Sequence, residues 1–185
     1  MERRYIKNAT VAVVVSNKPR VRALRIAARF GVDAKVIEAV AGMDRASYDE
    51  QVRRELLERG VDSKNGLVLL AGFMRLLSPE FVEYYQGRIM NVHPSLLPAF
   101  PGLDAQKQAL EHGVKVSGCT VHFVVPKLDA GPIVVQRAVE VREDDTVETL
   151  SSRILKQEHV IYPLAAKLFV EGKLSIDGRR VLVRP

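Results

Sequence analysis

Gly66-Leu67-Val68-Leu69-Leu70-Ala71 is apolar at every position, and the fold turns on that. A strand with one wet face alternates apolar and polar side chains, whereas a strand covered on both faces does not. The run therefore reads as a strand from the middle of a parallel sheet, which needs helices over both faces. The flanking sequence supplies them. Upstream, Ser47-x-x-Glu50 has capping-box spacing and predicts a helix to about Arg59, with Gly60 beyond its end. Downstream, Ser78-Pro79 predicts a helix ending before Gly87. Farther out, Thr10–Val15, Val36–Ala39, Arg88–Val92, Ser117–Val125 and Ile133–Val141 read as strands. Ser16 and Asn17 are expected to cap a helix that turns Val21, Leu24, Ala27 and Ala28 to one face and stops at Gly31. Asp104 should cap another, running to about His112. Asp145-x-x-Glu148 should open the last helix, which Pro163 should kink or break. Leu174–Ile176 and Val181–Val183, joined at Asp177-Gly178, predict a terminal hairpin. Strands alternating with helices mean an α/β fold with a mostly parallel open sheet flanked by helices. The two long strands joined by a loop alone, and the hairpin, add antiparallel structure toward the C-terminus.

The chain has 185 residues, 47% hydrophobic and 27% charged, which suits a single globular domain. No apolar run approaches the ~18 residues of a membrane span. MERRYIKN lacks the apolar segment of a secretory signal, so the cytoplasm is the default location. The one cysteine, Cys119, leaves no internal disulfide and reads as a small buried hydrophobe. The four histidines and the cysteine show no metal-ligand spacing, so no metal is expected. The net charge of +6 comes from basic residues spread along the chain, with pairs at Arg3-Arg4, Arg53-Arg54 and Arg179-Arg180. Without an RNA-stacking aromatic motif, that balance points to small anionic substrates rather than nucleic acid or a membrane.

The densest segment is Asn91-Val92-His93-Pro94-Ser95-Leu96-Leu97-Pro98-Ala99-Phe100-Pro101-Gly102. Strand alternation puts Asn91 and His93 on one face, and the prolines and glycine stiffen the loop that follows. An amide beside an imidazole can meet a developing oxyanion and move a proton, as acyl transfer requires. The same pair could equally satisfy loop backbone groups, and spacing alone leaves both readings open. Asp129, in Lys127-Leu128-Asp129-Ala130-Gly131-Pro132, is a turn former unless it meets His93 across strand ends. There it would orient the ring and favour its charged form.

AGFMRLLSPEFV (Ala71–Val82), NVHPSLLPAFPG (Asn91–Gly102), GCTVHFV (Gly118–Val124), LDAGPIVVQ (Leu128–Gln136) and QEHVIYP (Gln157–Pro163) together resemble the phosphoribosylglycinamide formyltransferase family, in order and in spacing. The resemblance runs from about Thr10 to the C-terminus. It implies a Rossmann-like formyltransferase fold and formyl transfer from 10-formyltetrahydrofolate to the amine of glycinamide ribonucleotide, in purine biosynthesis. It places the catalytic asparagine, histidine and aspartate on Asn91, His93 and Asp129. Folate would bind at Phe73, Met74, Arg75, Leu76 and Leu77, and at the loop containing Val125 and Leu128. Phe73, Leu76 and Leu77 could also be plain core. Pro94 and Glu158 would meet the amine substrate, Glu158 near the ribose hydroxyls, although on residue type alone it is a solvated helix carboxylate. Thr120 and His122 would back the three catalytic side chains. Partners are then small molecules, with a homodimer left open.

The family normally opens with an apolar strand and a Gly-rich turn whose amides hold the substrate phosphate. MERRYIKNATVAVVVSN aligns instead with the family's second strand. The chain therefore reads as one domain, N-terminally incomplete relative to the family, and weak binding of the ribonucleotide is expected. Loss of a central strand would also leave two rows of backbone groups unpaired. Asp62-Ser63-Lys64-Asn65-Gly66 reads as a polar insertion away from the site. Two other activities stay open: a 10-formyltetrahydrofolate hydrolase, with water as acceptor, and a non-catalytic folate-binding remnant. Transfer to initiator tRNA would need a further domain.

Overall fold

The structure is a computed structural model that describes residues 5–184. The Arg3-Arg4 pair lies outside them. In chain order the elements are β1 (Val14–Ser16), α1 (Arg22–Arg29), β2 (Ala34–Val36), α2 (Arg45–Glu58), β3 (Val68–Leu70), α3 (Pro79–Tyr84), β4 (Ile89–His93), α4 (Ala105–Glu111), β5 (Val116–Phe123), β6 (Ile133–Glu140), α5 (Val147–Val170), β7 (Leu174–Asp177) and β8 (Arg180–Val183). This is an α/β fold. The residues group into two compact units. Among the described residues, one comprises 5–8, Leu69–Phe73 and 89–184, and the other Ala9–Val68 and Met74–Arg88.

In the second unit, β1 and β2 form a parallel two-stranded sheet. The larger sheet has the order β3-β4-β5-β6-β8-β7 and is mixed. Pairing is antiparallel from β4 through β5 to β6 and in the β7–β8 hairpin, and parallel between β6 and β8. The antiparallel part thus takes in β4 as well as the expected β5 and β6. The all-apolar run contributes only three strand residues and lies at one end of the sheet order rather than in its middle. Paired with β4 alone among the described residues, β3 leaves Leu69 46% exposed.

Several helix starts move for an identifiable reason. Asp44 Oδ1 accepts the Ser47 amide, so α2 begins three residues ahead of the expected Ser47 cap. Asp145 is drawn off by a two-pronged ion pair with Arg153, both bonds 2.7 Å, and leaves Thr146 to cap α5 in a reciprocal box with Thr149. Ser16 Oγ accepts from Lys18 N and closes its own turn, so α1 starts later, at Arg22, with no side-chain cap. Asp104 precedes α4 but makes no capping bond. Ser78, by contrast, caps α3 as expected, accepting from Phe81 N. Pro163 lies inside α5, which runs on to Val170. The residue is exposed, so the helix carbonyl it cannot serve can turn to water. Leu150, Ile154, Ile161 and Ala165 recur at helical spacing on α5, are fully buried, and pack it against β5 and β6. Each large apolar side chain so covered stabilises the unit by roughly 1.5–3 kcal/mol. The polar insertion closes on itself: Asp62 Oδ1 accepts from the Lys64 and Asn65 amides, and Asn65 Oδ1 from that of Asp62.

Candidate active site

The β4–β5–β6 register builds one polar face. Asn91 stands opposite His122, and His93 opposite Thr120, which in turn stands opposite Gln136. Alternation therefore turns Asn91, His93, Thr120, His122 and Gln136 to the same side, while Cys119, Val121 and Phe123 face the other way. Asp129 reaches that face from the β5–β6 loop, with a left-handed φ of 47°. The loop is pressed onto β5: a Cβ at Gly131 would lie 1.8 Å from Phe123 O, so only glycine fits there.

His93 and Asp129 come together, Nδ1 to Oδ2 at 3.5 Å, with side chains only 6% and 8% exposed. Asp129 Oδ2 also accepts the Gly102 amide at 2.8 Å, which ties the loop after β4 to the loop after β5. The other ring nitrogen of His93, Nε2, lies 2.8 Å from Phe100 O. Both nitrogens thus face acceptors, and a ring carrying two protons satisfies both. His122 differs. Its Nδ1 lies 2.8 Å from Phe123 O and donates to it, which leaves Nε2 to accept from Asn91 Nδ2 at 3.4 Å. Asp129 Oδ1 is 3.7 Å from that same nitrogen. Burial pushes the His122 pKa below its ordinary value, as suits a neutral ring that accepts from an amide.

Beneath the loop after β4, Thr120 Oγ1 donates to Ser95 O at 2.7 Å and accepts from Leu97 N at 3.1 Å. Gln136 Nε2 donates to both Thr120 Oγ1 and Leu97 O, each at 2.9 Å, and Ser95 Oγ donates to Ala99 O. These bonds hold the proline-rich loop in one shape, so Asn91 and His93 sit on a fixed support.

The family model for formyl transferases matches residues 2–166. The chain belongs to the formyl transferase family. It is 41% identical over 179 residues to phosphoribosylglycinamide formyltransferase of Escherichia coli, a match covering 93% of this chain and 82% of that one. The crystal structure of glycinamide ribonucleotide transformylase 1 from Symbiobacterium toebii is similar with a TM-score of 0.89 and 52% identity, over 94% of this chain and 80% of that one. The trifunctional purine biosynthetic protein adenosine-3 of Gallus gallus is 47% identical over 168 residues, which are 91% of this chain but 16% of that longer protein.

The other expected site residues of this family member fall in separate places. Pro94 directly follows β4, and Val125 and Leu128 lie in the Asp129 loop, Leu128 exposed. The amides of Val125, Lys127, Leu128 and Asp129 take no backbone partner among the described residues, so this loop has donors to spare for a polar heterocycle. Phe73 is half-buried at the end of its segment. Met74, Arg75, Leu76 and Leu77 belong to the second unit. There Met74 is 78% and Leu76 48% exposed, which rules out core packing for both. Arg75 lies over the Tyr48 ring at 4.6 Å. Glu158, on α5, is half-buried, and that burial raises its pKa. The Cys119 thiol is fully buried and pushed up to about 12, which makes it inert. Among the described residues no cluster of three or more His, Cys, Asp or Glu could hold a metal, and no helix is long and apolar enough to cross a membrane.

Three participants escaped the sequence reading: Gln136, Ser95 and the Phe100 carbonyl. Gln136 sits within LDAGPIVVQ, but its place beside Thr120 follows from the β5–β6 register, which is irregular between Val121 and His122.

Proposed function

We propose that the chain transfers a formyl group from 10-formyltetrahydrofolate to the primary amine of glycinamide ribonucleotide, one step of the de novo purine pathway whose end product is IMP. The observation that carries this reading is the meeting of His93 with Asp129 at 3.5 Å on the face that also presents Asn91. The family match and the named relatives add support.

In the proposed reaction the amine attacks the formyl carbon and forms a C–N bond. The resulting oxyanion accepts from an Asn91 amide N–H. It also competes for the His93 Nε2–H, which in this structure is held by the Phe100 carbonyl. An oxyanion is a stronger acceptor than a neutral carbonyl, so that bond strengthens as charge develops. Asp129 stabilises the doubly protonated ring and fixes its orientation. The tetrahedral centre then collapses, the bond to N10 of the folate breaks, and a proton passes from the attacking nitrogen to N10. Asn91 is kept in place by His122, which takes one of its two amide protons and leaves the other for the reaction. On this reading the donor's heterocycle meets backbone groups of Val125 and Leu128. Phe73, Met74, Arg75, Leu76 and Leu77 contribute to donor binding by their correspondence to the family, and Pro94 and Glu158 to the amine substrate.

The test is formylation of glycinamide ribonucleotide by the 185-residue chain, followed as tetrahydrofolate release. Turnover that falls about 100- to 1000-fold in His93→Ala is the expected result. A wild-type chain that yields no formylated amine, or a His93→Ala variant as active as wild type, sinks the proposal.

A further inference from the structure

Tyr162, within the segment QEHVIYP, has so far been given no part. It lies in α5, and its hydroxyl donates to two backbone carbonyls, Leu70 O at 2.7 Å and Met90 O at 2.9 Å. Those carbonyls belong to neighbouring strands of the sheet. Leu70 is the last residue of β3, directly before Ala71-Gly72-Phe73, and Met90 directly precedes Asn91 on β4. One phenol thus spans the two strands at the point where each delivers a segment assigned to the reaction. Burial raises the Tyr162 pKa, so the hydroxyl keeps its proton and remains a donor. A single O–H shared between two acceptors constrains their separation as well as their direction, which a bond to either one would not do.

We infer that Tyr162 is a positioning residue for the transfer reaction, its hydroxyl setting the distance between the end of β3 and the Asn91 segment of β4. It touches neither substrate and acts through Met90 and Leu70. The inference rests on the reading of Asn91 as an oxyanion donor. A shift of about 1 Å in such a donor costs on the order of 100-fold in rate. The apolar contacts of the ring do not depend on the hydroxyl, so Tyr162→Phe removes the bridge and leaves the packing.

The experiment compares wild type, Tyr162→Phe and a variant carrying 4-aminophenylalanine at 162, whose amino group restores a donor at the same position. At 25 °C, kcat for formyl transfer should fall about 10- to 100-fold in Tyr162→Phe, with the KM for the amine little changed, and recover in the 4-aminophenylalanine variant. The Asn91 side-chain amide resonances should move in Tyr162→Phe and return in the aminophenylalanine variant. This second reading needs no activity, so it separates failure of the positioning claim from failure of the proposed function. Wild-type kcat with unmoved Asn91 resonances in Tyr162→Phe overturns the inference, as does a lowered Tm with unchanged kcat. If Tyr162→Phe does not fold, a folded aminophenylalanine variant with wild-type kcat and Asn91 resonances supports the inference, and one with depressed kcat overturns it.

Discussion

His93 and His122 stand on neighbouring strands of one sheet face, both nearly inaccessible to solvent, and their surroundings ask opposite things of them. The His93 ring lies between Asp129 Oδ2 and Phe100 O, two acceptors. The His122 ring lies between Phe123 O, an acceptor, and the Asn91 amide, a donor. Both are buried, and burial lowers the His122 pKa; what differs between the two rings is their hydrogen-bond partners. His93 faces two acceptors, whereas His122 faces one acceptor and one donor, as a neutral ring requires. On the proposed reading, acid–base chemistry and scaffolding are separated between two histidines set diagonally across neighbouring strands.

Substitution can break that division. The largest effect is expected for His93→Ala, about 1000-fold in kcat, since it removes both a donor and its charge; Asn91→Ala, which removes a donor alone, should cost about 100-fold. Steady-state formyl transfer measures both, and equal losses in the two would undo the distinction. Asp129→Asn keeps an acceptor for Gly102 N but removes the carboxylate opposite His93. It should lower kcat by roughly 10- to 100-fold while the fold persists by circular dichroism. Thr120→Val, on the scaffolding side, leaves Ser95 O, Leu97 N and one Gln136 N–H without their partner. It should cost about 1–3 kcal/mol in urea unfolding, and an unaltered midpoint would show the loop to be held by other means.

The smallest effect concerns pH. The folded-state pKa of His122 lies below its ordinary 6.5, so the unfolded chain takes up a proton first as pH falls. The neutral ring's contribution to stability is fully present above about 6.5 and is lost as pH drops from there toward the folded value. His122→Gln should therefore flatten the fall of Tm between pH 7 and the mildly acid range. A Tm profile parallel to that of wild type would show that His122 is not the group responsible.

How much of this was legible in the chain depended on distance along it. Asn91 and His93 share a face because strand alternation is local, and Asp129 stands out as the carboxylate of a Gly-Pro loop. Gln136 was not legible: its partnership with Thr120 arises from the antiparallel register of β5 and β6, which no short window of sequence contains. The His122 charge state was hidden for the same reason, since it depends on Asn91 from another strand. Helix starts went astray where two capping residues stood close together. Asp44 outcompeted Ser47 for the first turn of α2, and Asp145 was drawn off by Arg153, eight residues along. Pro163 misled because the rule against proline in helices weakens on a solvent-facing side. The run Gly66–Ala71 identified the α/β class correctly, but its place in the sheet depended on neighbours that its own composition could not name.

The fit of Gly131 against the Phe123 carbonyl has a consequence for anyone wishing to vary the β5–β6 loop. The β5–β6 loop can be diversified at Val125, Lys127 and Leu128, whose side chains reach toward solvent or half toward it. Position 131 is a fixed hinge pin: any larger residue would lever the whole loop off the strand and carry Asp129 away from its imidazole. A combinatorial library that spares this one codon keeps Asp129 beside His93; in a library that randomises it, most members carry displaced loops.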